Sequence, residues 1–272
     1  MKIRTIIGLI IILAAVYFTI DYIRLTDGWR MYGWEMFTKT DQDFLALSPK
    51  WGTPANANLS ASHSGIFPDS QYIFNEGWHL FHIHDWENHL RHLKNKPDVH
   101  GLEVGSWEGM SAIWALENIL THPTSTITCI DIFDTKSIED TFDRNASATG
   151  TPDKIIKIKG PSEHMLCTLE PEKYDYIYID GCHLPKWVLS DAVMGWELLK
   201  PGGLMIFDDY RHINPKPEGL RISGIGFLDN YLWNKRGQFR DCPRPAIDAF
   251  LSIYKPYLEV VFKQYQVVVR KK

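Results

Sequence analysis

The chain has 272 residues, 44% of them hydrophobic and 23% charged, enough for one sizeable folded domain with appendages rather than two full domains. Its formal net charge of -4, with no Lys/Arg run interleaved with aromatics, offers no field for a phosphate backbone and disfavours nucleic acid as a partner. The four cysteines, Cys129, Cys167, Cys182 and Cys242, lack the paired spacing of a zinc site. They read as free thiols, which favours a reducing compartment.

Residues 5–20 carry no charge and follow a start bearing Lys2 and Arg4. As a helix they span about 24 Å at roughly 1.5 Å per residue, short of a hydrocarbon core of about 30 Å. Tyr22, Ile23 and Leu25 extend the run, with Asp21 near the interface. A cleaved signal peptide is the alternative, but the bulky Val16-Tyr17-Phe18-Thr19-Ile20 stands where a cleavage site wants small residues. An uncleaved single-pass membrane helix over residues 1–25 is therefore expected. Lys2 and Arg4 slightly outweigh Arg24 and Arg30, a bias that would send the domain across the membrane. The free thiols argue for the cytosolic side.

Residues 26–78 are rich in Trp, Gly, Ser, Asn and Pro without sustained periodicity, and read as a neck and irregular lead-in. Trp29, Tyr32, Trp34 and Phe37 are expected to pack on the domain or lie at the interface. Asn58-Leu59-Ser60 and Asn145-Ala146-Ser147 match glycosylation sequons, a pattern too short to carry weight. Five histidines, His79, His82, His84, His89 and His92, invite a metal reading. No cysteine or acid joins them at zinc spacing, and Trp86, Leu90 and Leu93 recur at helical core spacing behind Asp85, the expected N-cap. They read as surface or packed residues.

From residue 79 to 272 the pattern is that of one α/β domain. Apolar runs at 102–104, 126–130, 155–158, 174–179 and 204–207 read as strands, with helices expected at 111–120 and 187–199 and a turn at 200–203. Runs at 258–262 and 267–270 lie too close for a helical crossover and must form an antiparallel hairpin. The fold expected is a Rossmann-like, doubly wound, mostly parallel seven-stranded sheet that ends in that hairpin. Asp191 and Trp196, inside a helix, read as packing residues, and residues 211–245 read as an insertion shaping the acceptor pocket.

Ligands of an open parallel sheet bind beyond the carboxyl ends of the strands. After the first run stands Glu103-x-Gly105-x-Trp107-x-Gly109-x-Ser111, where glycines permit a tight turn and a helix start offers free amides. This is not the Gly-x-Gly-x-x-Gly of dinucleotide binders. Asp131 ends the second run, suited to ribose hydroxyls, and Ser162 and Glu163 follow the third, within reach of an adenine edge. An ordinary strand-to-helix turn with Asp131 as a helix cap is the plain alternative.

On these residues the chain resembles class I S-adenosylmethionine-dependent methyltransferases, and within them the catechol and macrolide-sugar O-methyltransferase groups. The resemblance implies that Glu103, Gly105 and Gly109 surround the methionine part of the cofactor. It implies further that Ser111 holds the carboxylate, Asp131 the ribose, and Ser162 and Glu163 the adenine, with Trp107 in the same loop. The methyl donor is made in the cytosol, which again favours a cytosol-facing domain.

Asp180 follows the fourth run, and Asp208 and Asp209 the fifth, so three carboxylates converge on one edge and repel unless a cation or protons neutralise them. Mg²⁺ or a similar divalent ion is the natural remedy. Neighbours in a strand point oppositely, so Asp208 and Asp209 share an ion only where the strand ends. In the resembling enzymes these acids bind metal and the residue three after the first is the base, here His183. The reaction implied is metal-assisted methylation of a hydroxyl on a small molecule or glycan. Helix caps or a partner for Arg211 are the plain reading of the acids. A nicotinamide-dependent oxidoreductase and a tethered cofactor-binding scaffold without turnover are the competing functions.

Overall fold

The computed structural model describes residues 70–212 and 242–272. The expected membrane helix, the neck up to residue 69 and residues 213–241 of the insertion lie outside them. Among the described residues no helix is long and apolar enough to cross a membrane.

Seven strands form one sheet: β1 (His100–Val104), β2 (Thr126–Asp131), β3 (Ile155–Lys159), β4 (Tyr174–Ile179), β5 (Leu199–Phe207), β6 (Leu258–Lys263) and β7 (Val267–Lys271). Their order is β3-β2-β1-β4-β5-β7-β6. Strands β1 to β5 pair in parallel, and β7 lies antiparallel between β5 and β6. The expected terminal hairpin is thus inserted beside β5. In a dinucleotide-binding sheet a parallel sixth strand takes that place, so the topology counts against the nicotinamide reading.

Among the described residues six α-helices accompany the strands: α1 (Ile83–Leu90), α2 (Met110–Asn118), α3 (Lys136–Ala148), α4 (Ser162–Met165), α5 (Pro185–Leu198) and α6 (Arg244–Tyr254). Alternation along β4 divides the core. Tyr176 and Tyr178 pack with Trp86, Trp114 and Phe142 on one face; Ile177 and Ile179 pack with Val188, Trp196 and Phe250 on the other. Central strands covered on both faces read as unbroken apolar runs, which is why they were legible. At the β3 edge, Lys157 and Lys159 pair with Glu139 and Asp143 of α3, and charge there discourages further strand pairing.

Several local expectations change. The N-cap of α1 is His82, and Asp85 falls in the first turn, where an acid still suits the helix dipole. Strand β5 begins at Leu199 and runs through the expected turn at 200–203, with a shift in its pairing to β4. Tyr72 and Phe74, from the expected lead-in, are buried core residues. Asn145 of the second sequon is fully buried: its Oδ1 accepts from Ile73 N at 2.8 Å, and its Nδ2 donates to the carbonyls of Ile73 and Glu108 at 2.7 and 3.0 Å. No glycan can reach it in the folded state. Cys129, Cys167 and Cys182 are free thiols.

Hydrogen bonds across the strand ends align the functional edge. The amide of Gly105 donates to Ile130 O, Gly160 to Asp131 O, Asp180 to Val104 O and Asp208 to Ile179 O, at 2.8 to 3.1 Å. Each turn that leaves a strand is tied to the neighbouring strand, so the residues after β1, β2, β3, β4 and β5 share one rim.

Candidate active site

The loop between β1 and α2 is built on two left-handed glycines, Gly105 (φ +89°) and Gly109 (φ +86°). A Cβ on Gly105 would lie 2.1 Å from the carbonyl oxygen of Asp180, so only glycine lets this loop pass so close to the turn after β4. Trp107, between them, is also left-handed (φ +47°) and 42% exposed. Its amide donates to Asp131 Oδ2 at 2.9 Å, and Phe133 N donates to Asp131 Oδ1 at 2.7 Å. Ile132, beside this carboxylate, is 55% exposed, an unusual exposure for so apolar a side chain.

Glu103 is buried under the loop. Ser111 donates its hydroxyl to Glu103 Oε1, while Oε2 is buried without a hydrogen-bond partner. Burial raises this carboxyl well above the usual range; the Ser111 bond opposes the shift, and Asp180 and Asp131 add to it. An acceptor buried in this way fits a ligand that brings a donor or a positive charge, such as an ammonium group. Ser162 and Glu163 open α4 after β3, partly exposed on the same rim.

At the ends of β4 and β5, one ligand atom each from Asp180, His183 and Asp209 lie within 4.8 Å of one another. His183 Nε2 is 2.7 Å from Asp209 Oδ2 and 3.8 Å from Asp180 Oδ1. Strand β5 stops at Phe207, and Asp209 adopts a left-handed conformation (φ +56°) that sends its side chain to His183. Asp208 takes a different direction. Its Oδ2 accepts from Tyr178 OH, and its Oδ1 accepts from Asp209 N at 2.8 Å and Gln266 Nε2 at 3.2 Å. The trio suited to a cation therefore holds Asp180 and Asp209, while Asp208 stands behind it.

The electrostatics follow from this crowding. Burial raises the Asp180 carboxyl well above the usual range, and the Asp208 charge adds to that. Burial also raises Asp208, with His82 opposing and Asp209 adding. Burial acts to raise Asp209 as well, but the hydrogen bond and charge of His183, with the hydroxyl of Tyr265, hold it below its ordinary value. The two carboxylates Asp180 and Asp209 raise His183 to about 10, so the imidazole is a cation at neutral pH when nothing else neutralises them. The oxygens of Asp180 and Asp209, converging beside His183, form a donor set that fits a divalent ion.

Three participants were not singled out from the sequence, and a fourth, His82, was read there only as a surface or packed residue. Tyr178 lies 3.0 Å from Asp180 Oδ2, Tyr265 donates to Asp209 Oδ1, His212 stacks on His183 at 5.6 Å, and His82 Nε2 lies 3.8 Å from Asp208 Oδ1. Tyr178 carried a local signal, since two residues before Asp180 on one strand face is the nearest place for a partner. Asp191, read as packing, is buried in α5 close to Gly181; burial raises its carboxyl to about 6, with Ser162 opposing.

Comparison with known proteins agrees with this architecture. Residues 102–210 match the family described as a methyltransferase domain. An uncharacterized protein of Acanthamoeba polyphaga mimivirus is 26% identical over 151 residues, which are 54% of this chain and 66% of that relative. A putative rRNA-methylase of Clostridium thermocellum superposes with a TM-score of 0.50 at 10% identity, covering 70% of this chain and 97% of that one. A methyltransferase of Podospora anserina, solved with S-adenosylhomocysteine bound, gives 0.48 at 21% identity over 72% and 78% of the two chains. Residues 102–210 are thus similar to a methyltransferase domain, and the seven-stranded sheet has the Rossmann-like fold of these methyltransferases.

Proposed function

We propose that the chain methylates a hydroxyl oxygen of a small molecule or glycan, using S-adenosylmethionine and a divalent cation such as Mg²⁺. The observation that supports this reading is the close approach of the Gly105 loop to the Asp180 turn, beside the cluster of Asp180, His183 and Asp209. Donor and acceptor then meet at one place. S-adenosylmethionine supplies an electrophilic methyl group, and the cation supplies charge that favours an ionised hydroxyl.

The chain's own residues bind and orient. Glu103, oriented by Ser111, faces the ammonium of the methionine part, and Gly105 and Gly109 let the backbone approach it. Asp131 takes the ribose hydroxyls, Ser162 and Glu163 the adenine edge, and Trp107 with Ile132 offers apolar surface beside them. Asp180 and Asp209 hold the cation. His183, once those two charges are neutralised, falls towards its ordinary value of about 6.5 and takes the acceptor's proton at Nε2. Most of the acceleration is positioning.

The test is methyl transfer from labelled S-adenosylmethionine to a panel of phenolic and glycosidic hydroxyls. A chelator should abolish transfer until Mg²⁺ is restored, and Asp209→Ala should not recover. Undiminished transfer in both cases would sink the role of the metal. We propose also that residues 5–20 anchor the chain in a membrane with the domain in the cytosol. Introduced surface cysteines should then resist an impermeant reagent in intact cells; labelling without opening the cells would reverse the orientation.

A further inference from the structure

His82 ends a short 3-10 helix (Trp78–His82) just before α1, upstream of the span that matches the methyltransferase family. It is buried, and its ring stacks on Tyr265 at 5.4 Å with an interplanar angle of 18°. Its Nε2 lies 3.8 Å from Asp208 Oδ1. Tyr265, in the turn between β6 and β7, donates its hydroxyl to Asp209 Oδ1, and its carbonyl accepts from Tyr210 N at 2.9 Å. One imidazole therefore bears on both acids of the turn, on Asp208 directly and on Asp209 through Tyr265.

The turn needs such support. A left-handed backbone is unfavourable for a residue with a side chain, and it persists only where the surroundings enforce it. Asp209 is left-handed with no glycine beside it, and its orientation decides whether Asp180, His183 and Asp209 meet. The element carrying His82 is itself fixed. Asn75 N donates to Glu108 Oε2 at 2.7 Å on the cofactor loop, and in α1 Trp86 Nε1 donates to Gln266 Oε1 at 3.0 Å. Gln266 then reaches Asp208.

We propose that His82 is a positioning residue that holds the Asp208-Asp209 turn in register, so that Asp209 meets Asp180 and His183. The inference rests on the cation reading for its metal readout but not for its spectroscopic one. Residues supporting a metal's ligands are worth about tenfold to a hundredfold in its affinity. His82→Ala, in the full chain, should weaken Mn²⁺ binding at least tenfold by electron paramagnetic resonance and leave S-adenosylhomocysteine affinity within about twofold. His82→Phe, which keeps the stack on Tyr265, should recover part of that loss. Tyr265→Phe, which keeps the ring and removes the hydroxyl, should reproduce it if His82→Ala does not fold.

The metal-free readout is the ring ¹⁵N signal of His183, which reports its pairing with Asp209. It should move in His82→Ala and Tyr265→Phe and return towards the parent in His82→Phe. Parent-like Mn²⁺ affinity together with an unmoved His183 signal overturns the proposal. If the parent binds no Mn²⁺, the cation reading falls, and the His183 signal alone decides the role of His82.

Discussion

Gly105→Ala tests the joint between the β1–α2 loop and the acid cluster. The new Cβ would sit 2.1 Å from Asp180 O, 2.5 Å from Asp180 C and 2.6 Å from Gly181 Cα, all backbone atoms. Carbon contacts are comfortable at about 3.5–4.0 Å, so one of the two turns must retreat by about an ångström or more. The φ of +89° adds a left-handed cost of about 1–2 kcal/mol, and forced overpacking typically costs about 1–3 kcal/mol, giving about 2–5 kcal/mol in all. Gly150 is the control: its φ is +73°, yet an added Cβ meets nothing within 4 Å, so Gly150→Ala should lose only the conformational part. Urea unfolding of both variants and calorimetry with S-adenosylhomocysteine provide the measurement. Gly105→Ala should be the less stable and should lose ligand affinity, while Gly150→Ala binds normally. Equal stabilities with unchanged affinity would show that the two turns do not approach as described.

Other outcomes follow from the same site. Glu103 has a folded pKa raised above its unfolded value, so its stabilising contribution is complete below the unfolded value of about 4.3 and declines as pH rises. Ligand-free Glu103→Gln should therefore melt higher than the parent near about pH 8, with a gap that closes towards about pH 4; a constant gap contradicts the burial argument. His183 is raised to about 10, so its contribution is complete below about 6.5 and is lost as pH climbs through the folded value. In metal-free protein its ring should stay protonated by NMR through neutral pH, and Asp209→Asn should bring its titration down; a parent His183 already titrating near about 6.5 refutes the ion pair. Asn145→Ala orphans Ile73 N, Ile73 O and Glu108 O, and should cost about 2–4 kcal/mol in urea unfolding. A loss below about 0.5 kcal/mol would mean that residues 70–75 do not depend on this amide.

Legibility varied with how local the physical cause was. Strand β4 matched its expected span because five of its six residues are buried and the run is bounded by polar turns. Helix α3 was not expected because it buries only Phe142, Asn145 and Ala146, too small an apolar face to show as a period. Its start signals are Thr135, whose hydroxyl accepts from Ile138 N at 3.4 Å, and Glu139 in the first turn. Helix α6 did carry a usable pattern in Ala246, Ile247, Phe250 and Tyr254, hidden by the Pro- and Gly-rich stretch before it.

By itself the sequence determined the sheet, the order of its turns and which turns carry glycines, acids and His183, because those depend on local periodicity and on residue type at strand ends. Only the tertiary structure decided how the acids divide. Asp208 and Asp209 are neighbours in the chain, yet a left-handed backbone sends one to Tyr178 and Gln266 and the other to His183 and Tyr265. No spacing encodes that His82 and Tyr265 stack, since they are far apart in sequence and meet only because β7 is inserted beside β5. A long-range contact of this kind is set by how the layers pack, and packing is a property of the whole fold rather than of any segment.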